Sequence, residues 1–132
     1  MKERMPEGYL EKRIYYHDTD CGGVVYHASY LNHLEEGRTE YLRAKGIDIG
    51  ELARQGTIFP VIRLEVDYKS PARYADIIRI TTAIEKIGHA SIHFKQEIKK
   101  GNILLLTAKI VCACVDAGLK AKPIPDHIRQ KF

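Results

Sequence analysis

The sequence predicts an α+β domain in which a five-stranded antiparallel sheet curls around one long helix. Three observations predict it. Tyr26 to Lys45 carries the chain's one long helical periodicity. Four β-rich runs follow, at Ile58–Tyr68, Ile77–Ile87, Ala90–Ile98 and Ile103–Val115. The breaks between these runs are too short for parallel crossovers, which need about a dozen residues.

Taken in order, Met1 to Gly8 mixes charge with Pro and Gly and is expected to fray. Tyr9 to His17 reads as a first strand, with Tyr15-Tyr16 adding β-propensity. In the helix, Tyr30, Leu31, Leu34, Gly37, Tyr41 and Leu42 fit the i, i+3, i+4, i+7 template. Glu35, Glu36, Glu40 and Arg43 fall on other faces, and His33 is assigned to the polar side or an interface. Gly37 costs about 1 kcal/mol relative to Ala in a helix interior but lets that face lie close against a sheet. Gly46 stops the helix. A short helix follows, capped by Asp48 and closed by Gly56. Ser70-Pro71, Gly88-His89 and Lys100-Gly101-Asn102 supply turn chemistry between the strands. The last strand is apolar on both faces, so it should be central in the sheet. Lys122-Pro123-Ile124-Pro125 ends it, and Asp126–Lys131 reads as a terminal helical turn. Helix and sheet bury their apolar sides on each other, and strand twist bends the sheet around the helix. Such a sheet leaves a free edge, so a homo-oligomer is expected.

A chain of 132 residues suits one domain, residues 1–132, with a core that needs no staples. Hydrophobic residues are 45% and charged residues 29%, an ordinary globular balance. The net charge of +4 falls short of a nucleic-acid footprint. Cys21, Cys112 and Cys114 give an odd count without framework spacing; Cys112 and Cys114, two apart in a strand, share a face and read as small apolar fillers. The N-terminus has no signal-peptide core and no run is long enough to span a membrane, so a cytoplasmic protein is expected.

Chemistry concentrates in Tyr15–Tyr30, YYHDTDCGGVVYHASY. Carboxylates at Asp18 and Asp20 run into Gly22-Gly23, and the helix start follows near His27. Asp20 is the leading candidate: a carboxylate in a partly dry corner can attack a carbonyl or deprotonate water. An Asx-turn explains an Asp before Gly equally well. Asp18 suits the turn-forming role, and as a DxD pair the two lack the oxygen ligands of a calcium loop. His17 points away from Asp20. His27 could act through its side chain, or through a backbone N–H that holds an oxyanion at a helix N-terminus. A metal set of His17, Asp18, Asp20, His27 and His33 matches no zinc spacing, so no metal is expected. Cys21 is a poor nucleophile because Asp18 and Asp20 disfavour a further negative charge beside them. The chain has no G-x-S-x-G, P-loop or G-x-G-x-x-G.

The segment 15–30 resembles the signature of hotdog-fold acyl-CoA thioesterases. It is closest to the Tol–Pal-associated group, relatives of 4-hydroxybenzoyl-CoA thioesterase. The likeness continues through Leu34-Glu35, Arg38–Arg43, Tyr68–Ala72, Val115-Asp116 and Lys122–Pro125. It implies the hotdog fold, in dimers that often pair into homotetramers, acting on acyl-CoA with no cofactor. The family's catalytic carboxylate falls on Asp20, and its oxyanion donor on or beside the His27 N–H. Gly22, Gly23, Val24 and Tyr26 would then border the substrate, with Arg63, Lys69 and Arg73 meeting the CoA phosphates. Cys21 departs from the family's usual Ala, Ser or Pro. Two rivals stand beside hydrolysis: a hotdog enoyl-thioester hydratase using Asp20 and His27 as a base–acid pair, and a non-catalytic acyl-CoA-binding module.

Overall fold

A computed structural model describes residues 7–132, so most of the segment expected to fray lies outside the described residues. Among the described residues the elements run β1 (Leu10–Arg13), α1 (Ser29–Ala44), α2 (Ile49–Arg54), β2 (Val61–Tyr68), β3 (Ile77–Ile87), β4 (Ser91–Lys100), β5 (Ile103–Ala113) and α3 (Asp126–Arg129). All five strands form one antiparallel sheet in the order β1-β3-β4-β5-β2. β5 is paired on both sides, as its apolar faces require, but β4 holds the middle position.

Three boundaries differ from expectation by three residues or more, each for a local reason. β1 stops at Arg13 rather than His17, and Tyr16–Asp18 forms a single 3₁₀ turn. The Asp18 carboxylate accepts the Tyr15 N–H at 2.9 Å, and that contact overrides the β-propensity of the tyrosine pair. α1 starts at Ser29 rather than Tyr26. The chain before it is still extended, with Val25 N–H bonded to Ala72 O and Tyr26 N–H to Asp18 O, both at 2.8 Å. β2 starts at Val61 rather than Ile58, because Pro60 has no N–H to give to the ladder.

The core lies between α1 and the inward faces of the sheet. Ile78, Ile80, Ile92, Phe94, Ile98, Leu106 and Ile110 are buried there, at the strand positions that alternate inward. α1 turns Tyr30, His33, Leu34, Gly37 and Leu42 toward them. His33 is therefore a correction: only 1% of it is exposed, so it is not a surface residue. It stands at i+3 from Tyr30 and i+4 before Gly37, on the buried stripe itself. Cys112 and Cys114 are buried, and Cys21 is exposed.

Gly37 sets how close α1 comes to the sheet. A Cβ placed there would stand 2.4 Å from Ile80 Cγ2. Beside it Gln96, 1% exposed, donates from Nε2 to Leu34 O and Thr82 Oγ1, both at 2.9 Å, while its Oε1 accepts from Arg38 Nη1 at 3.1 Å. Gly37→Ala should destabilise the fold by about 1–3 kcal/mol, since overpacking outweighs the gain in helix propensity. Urea unfolding checks this; an unchanged or raised midpoint would contradict the close approach.

Candidate active site

The corner from Tyr15 to Tyr30 folds as a narrow hairpin. Thr19 bridges Val25, and Asp20 N–H donates to Val24 O at 2.9 Å. At the tip Gly23 takes φ +80°, a left-handed value that glycine adopts without strain. Asp20 accepts the Gly22 N–H on Oδ1 at 2.7 Å, and its backbone carbonyl accepts the Gly23 N–H at 3.2 Å. The Asx-turn is thus present. It occupies one carboxylate oxygen and leaves Oδ2 without a donor among the described residues.

Asp18 is built differently. It is buried, with Oδ2 on the Tyr15 N–H and Oδ1 facing two imidazoles: exposed His17 at 3.4 Å and buried His33 at 3.5 Å. His33 Nδ1 stands 3.3 Å from Glu36 Oε1, and Lys12 Nζ reaches the two Glu36 oxygens at 2.6 and 3.0 Å. Burial, and then the Lys12 charge, hold the His33 ring below its ordinary value despite the two carboxylates. Burial pushes the Glu36 carboxyl up, but Lys12, with help from His33, outweighs it and leaves the group below its usual range.

Beyond the hairpin, Val25, His27, Tyr30, Tyr68, Lys69, Ser70 and Pro71 line a cleft of ≈ 310 Å³ at the N-terminal end of α1. His27 lies two residues before the first helical residue. Its N–H has no intramolecular acceptor among the described residues, and its carbonyl accepts the Tyr68 hydroxyl at 2.7 Å. Tyr30 lies against Tyr68, with ring centroids 5.7 Å apart, and its hydroxyl accepts the Ala72 N–H at 2.9 Å. Tyr26 is exposed and its ring meets that of His27.

Of the residues expected from sequence, His27 and Lys69 share this cleft. Asp20, Gly22, Gly23 and Val24 form the adjoining hairpin, and Val24 bridges Arg73 behind it. Arg63 is elsewhere. Its guanidinium pairs with Glu65 in a cleft on the face turned away from α1, among Glu85, Lys86, His93 and Lys109. Tyr30 and Tyr68 were not foreseen as cleft residues. The tyrosine closing β2 just before Lys69-Ser70-Pro71 was the available signal. Among the described residues, no three His, Cys, Asp or Glu side chains gather as metal ligands would, and no helix is long and apolar enough to cross a membrane.

A long helix packed into a five-stranded antiparallel sheet is the hotdog arrangement. The family model described as the thioesterase-like superfamily matches residues 15–132, and the chain belongs to that family. Its relatives include the acyl-CoA thioesterase YbgC of Haemophilus influenzae, 38% identical over 91% of this chain and 90% of the relative. The acyl-CoA thioester hydrolase YbgC of Escherichia coli is 42% identical over 91% of each chain. Among solved structures, a probable thioesterase from Bartonella henselae superposes with a TM-score of 0.85 at 33% identity, covering 91% of this chain and all of that one. A hypothetical protein from Thermus thermophilus reaches 0.91 at 26% identity, covering 95% and 96%.

The buried ring makes a prediction about pH. Unfolded, His33 takes up a proton near its ordinary 6.5, while the folded chain resists until lower pH. Between those values the unfolded state binds more protons, so acidification favours it. Glu36 acts in the same direction at lower pH, because its folded carboxyl protonates only below the ordinary carboxylate range. The melting temperature should fall as pH drops below about 6.5 and fall further near 4, and His33→Gln should remove the upper part of that fall. A parent profile flat between those limits would contradict a buried neutral imidazole.

Proposed function

We propose that this protein hydrolyses acyl-CoA thioesters to a carboxylic acid and CoA, with Asp20 as the reacting carboxylate. The observation that carries the reading is the hairpin. It is closed by its own backbone hydrogen bonds, carries a carboxylate with one oxygen free of donors among the described residues, and runs through Val25 into the wall of the His27–Tyr30–Tyr68 cleft. Asp20 serves as nucleophile, giving a mixed anhydride, or as general base for water. Uptake of heavy oxygen from water into the enzyme in a single turnover separates the two routes. The His27 N–H, free of any internal acceptor among the described residues, is the donor for the developing oxyanion. The thiolate leaves readily without a strong general acid. The names of the YbgC relatives support the acyl-CoA class.

The acyl group would run from the cleft along α1 toward a separate small cavity lined by Leu31, Leu34, Arg38, Val61, Leu64 and Ile110. Lys69 at the mouth and Arg73 behind the hairpin are the cations for CoA phosphates. As a single chain the site is open, with Asp20 exposed. β2 is an edge strand that leaves Val61, Ile62 and Leu64 exposed. A second copy seated on β2 would cover these residues and dry the groove, giving a dimer or a dimer of dimers of this single domain. We place the enzyme in the cytoplasm, where acyl-CoA is made and used.

Asp20→Asn should lower thiol release from acyl-CoA by about a hundredfold or more, with the circular dichroism spectrum and oligomer size retained. Undiminished turnover would sink the assignment. His27→Ala should lose less, because the donor is a backbone group; a loss equal to that of Asp20→Asn would assign the imidazole a part in the reaction, whereas a hydratase would release no thiol even from the parent enzyme. Assaying short, long and aromatic acyl-CoAs identifies the preferred acyl class.

A further inference from the structure

Arg38 carries a charge into the half-buried layer between α1 and the sheet. It borders two small cavities, each of ≈ 160 Å³. The first is the one toward which the acyl group is directed, with Leu31, Leu34, Leu64 and Ile110 in its wall. The second is lined by Leu42, Phe59, Phe94 and Cys112 among others. Arg38 and Val61 line both, and so stand between them.

A guanidinium in such a place is normally matched by a carboxylate. Exposed Arg43, Arg54 and Arg63 each sit beside a glutamate. Arg38 forms no ion pair among the described residues, and its one hydrogen bond among them runs from Nη1 to Gln96 Oε1 at 3.1 Å. Glu35, one turn back, is exposed, and its Oε1 accepts the Thr39 hydroxyl at 3.1 Å. Cys112 offers no compensating charge, because burial pushes its thiol up despite the Arg38 cation. Burial pulls the Arg38 guanidinium itself below its ordinary value. The positive charge is therefore partly stripped of water and left without a counter-ion.

The donors it has left are arranged for one. With Nη1 on Gln96, Nε and Nη2 have no acceptor among the described residues, and that edge of a guanidinium grips a carboxylate through two parallel N–H groups. The same Gln96 amide donates to Leu34 O at 2.9 Å, which sets the guanidinium beside the Leu34 turn. Leu34 lies about 8 Å along the axis from the start of α1, at 1.5 Å per residue. A medium-length acyl chain spans that distance. A plain alkyl end there would take water from the cation and return nothing. We infer that Arg38 is a specificity-determining residue, whose guanidinium receives a carboxylate at the far end of the acyl group. The preferred substrate class is then ω-carboxyacyl-CoA, the half-thioester of a dicarboxylic acid. The inference rests on the reading of the protein as an acyl-CoA hydrolase and names the acyl group that reading leaves open.

The experiment measures kcat/KM for thiol release from octanoyl-CoA and from the mono-CoA thioester of octanedioic acid. The two differ only in a methyl or a carboxylate at the far end. The parent should favour the carboxylate substrate by about tenfold to a hundredfold, the range for a hydrogen bond to a charged group. Arg38→Met should bring that ratio to one or below, with oligomer size retained. Arg38→Lys, which keeps the charge but not the planar fork, should fall between. A parent ratio at or below one overturns the proposal, whether or not any variant folds. An Arg38→Met enzyme that loses equally on both substrates overturns it in favour of a purely structural arginine. A changed oligomer size in that variant overturns it in favour of a subunit contact. If the parent releases thiol from neither substrate, the hydrolase reading fails. Calorimetric binding of the same two thioesters to parent and Arg38→Met then decides the subsite by the same ratio.

Discussion

The contact of α1 with the sheet at Gly37 governs the rest of the molecule. One missing Cβ lets the helix backbone settle on Ile80, and that approach puts Leu34 O within reach of Gln96 on the central strand β4. A buried amide in an apolar layer is costly unless its groups are paired. Gln96 has partners for its amide nitrogen in Leu34 and Thr82 and for its oxygen in Arg38. The apolar stripe supplies most of the burial energy, and it would tolerate small slides of the helix. The hydrogen bonds of Gln96 do not. They fix where along the sheet α1 lies, and so where its N-terminal end emerges.

That end is where the chemistry gathers. With α1 fixed, His33 faces Asp18 and Tyr30 reaches Ala72 between β2 and β3. The helix N-terminus contributes a partial positive charge and N–H groups without internal acceptors. The hairpin before it lends a carboxylate from a backbone stiffened by its own hydrogen bonds. Neither part needs the mobility of a long loop. On the proposed reading, the reacting groups are held by the same contacts that hold the fold.

Much of this was legible in the sequence because two signals are local. β-rich runs separated by turn residues marked β3, β4 and β5, and the Gly-Gly pair after two carboxylates marked the corner. What was missed depends on contacts between distant segments. His33 looked polar by residue type, and only the presence of Asp18 and Lys12 from β1 and its turn makes a buried histidine affordable. Gln96 fell on the apolar face of β4 by alternation, between Phe94 and Ile98, but nothing local said that a helix carbonyl and Arg38 would meet it. Arg63 was grouped with the other basic residues by charge alone. Its position, one residue out of phase with inward Leu64, sends it to the opposite face of the sheet.

The two aspartates of the corner show how environment divides work between identical side chains. They stand two residues apart and differ in what surrounds them. Asp18 is enclosed: its Oδ2 accepts the Tyr15 N–H, and its Oδ1 faces two imidazoles at 3.4 and 3.5 Å. Asp20 spends one oxygen on the Gly22 N–H, which orients the group, and keeps the other free. On the proposed reading Asp20 carries the chemistry, and Asp18 shapes the turn on which it stands.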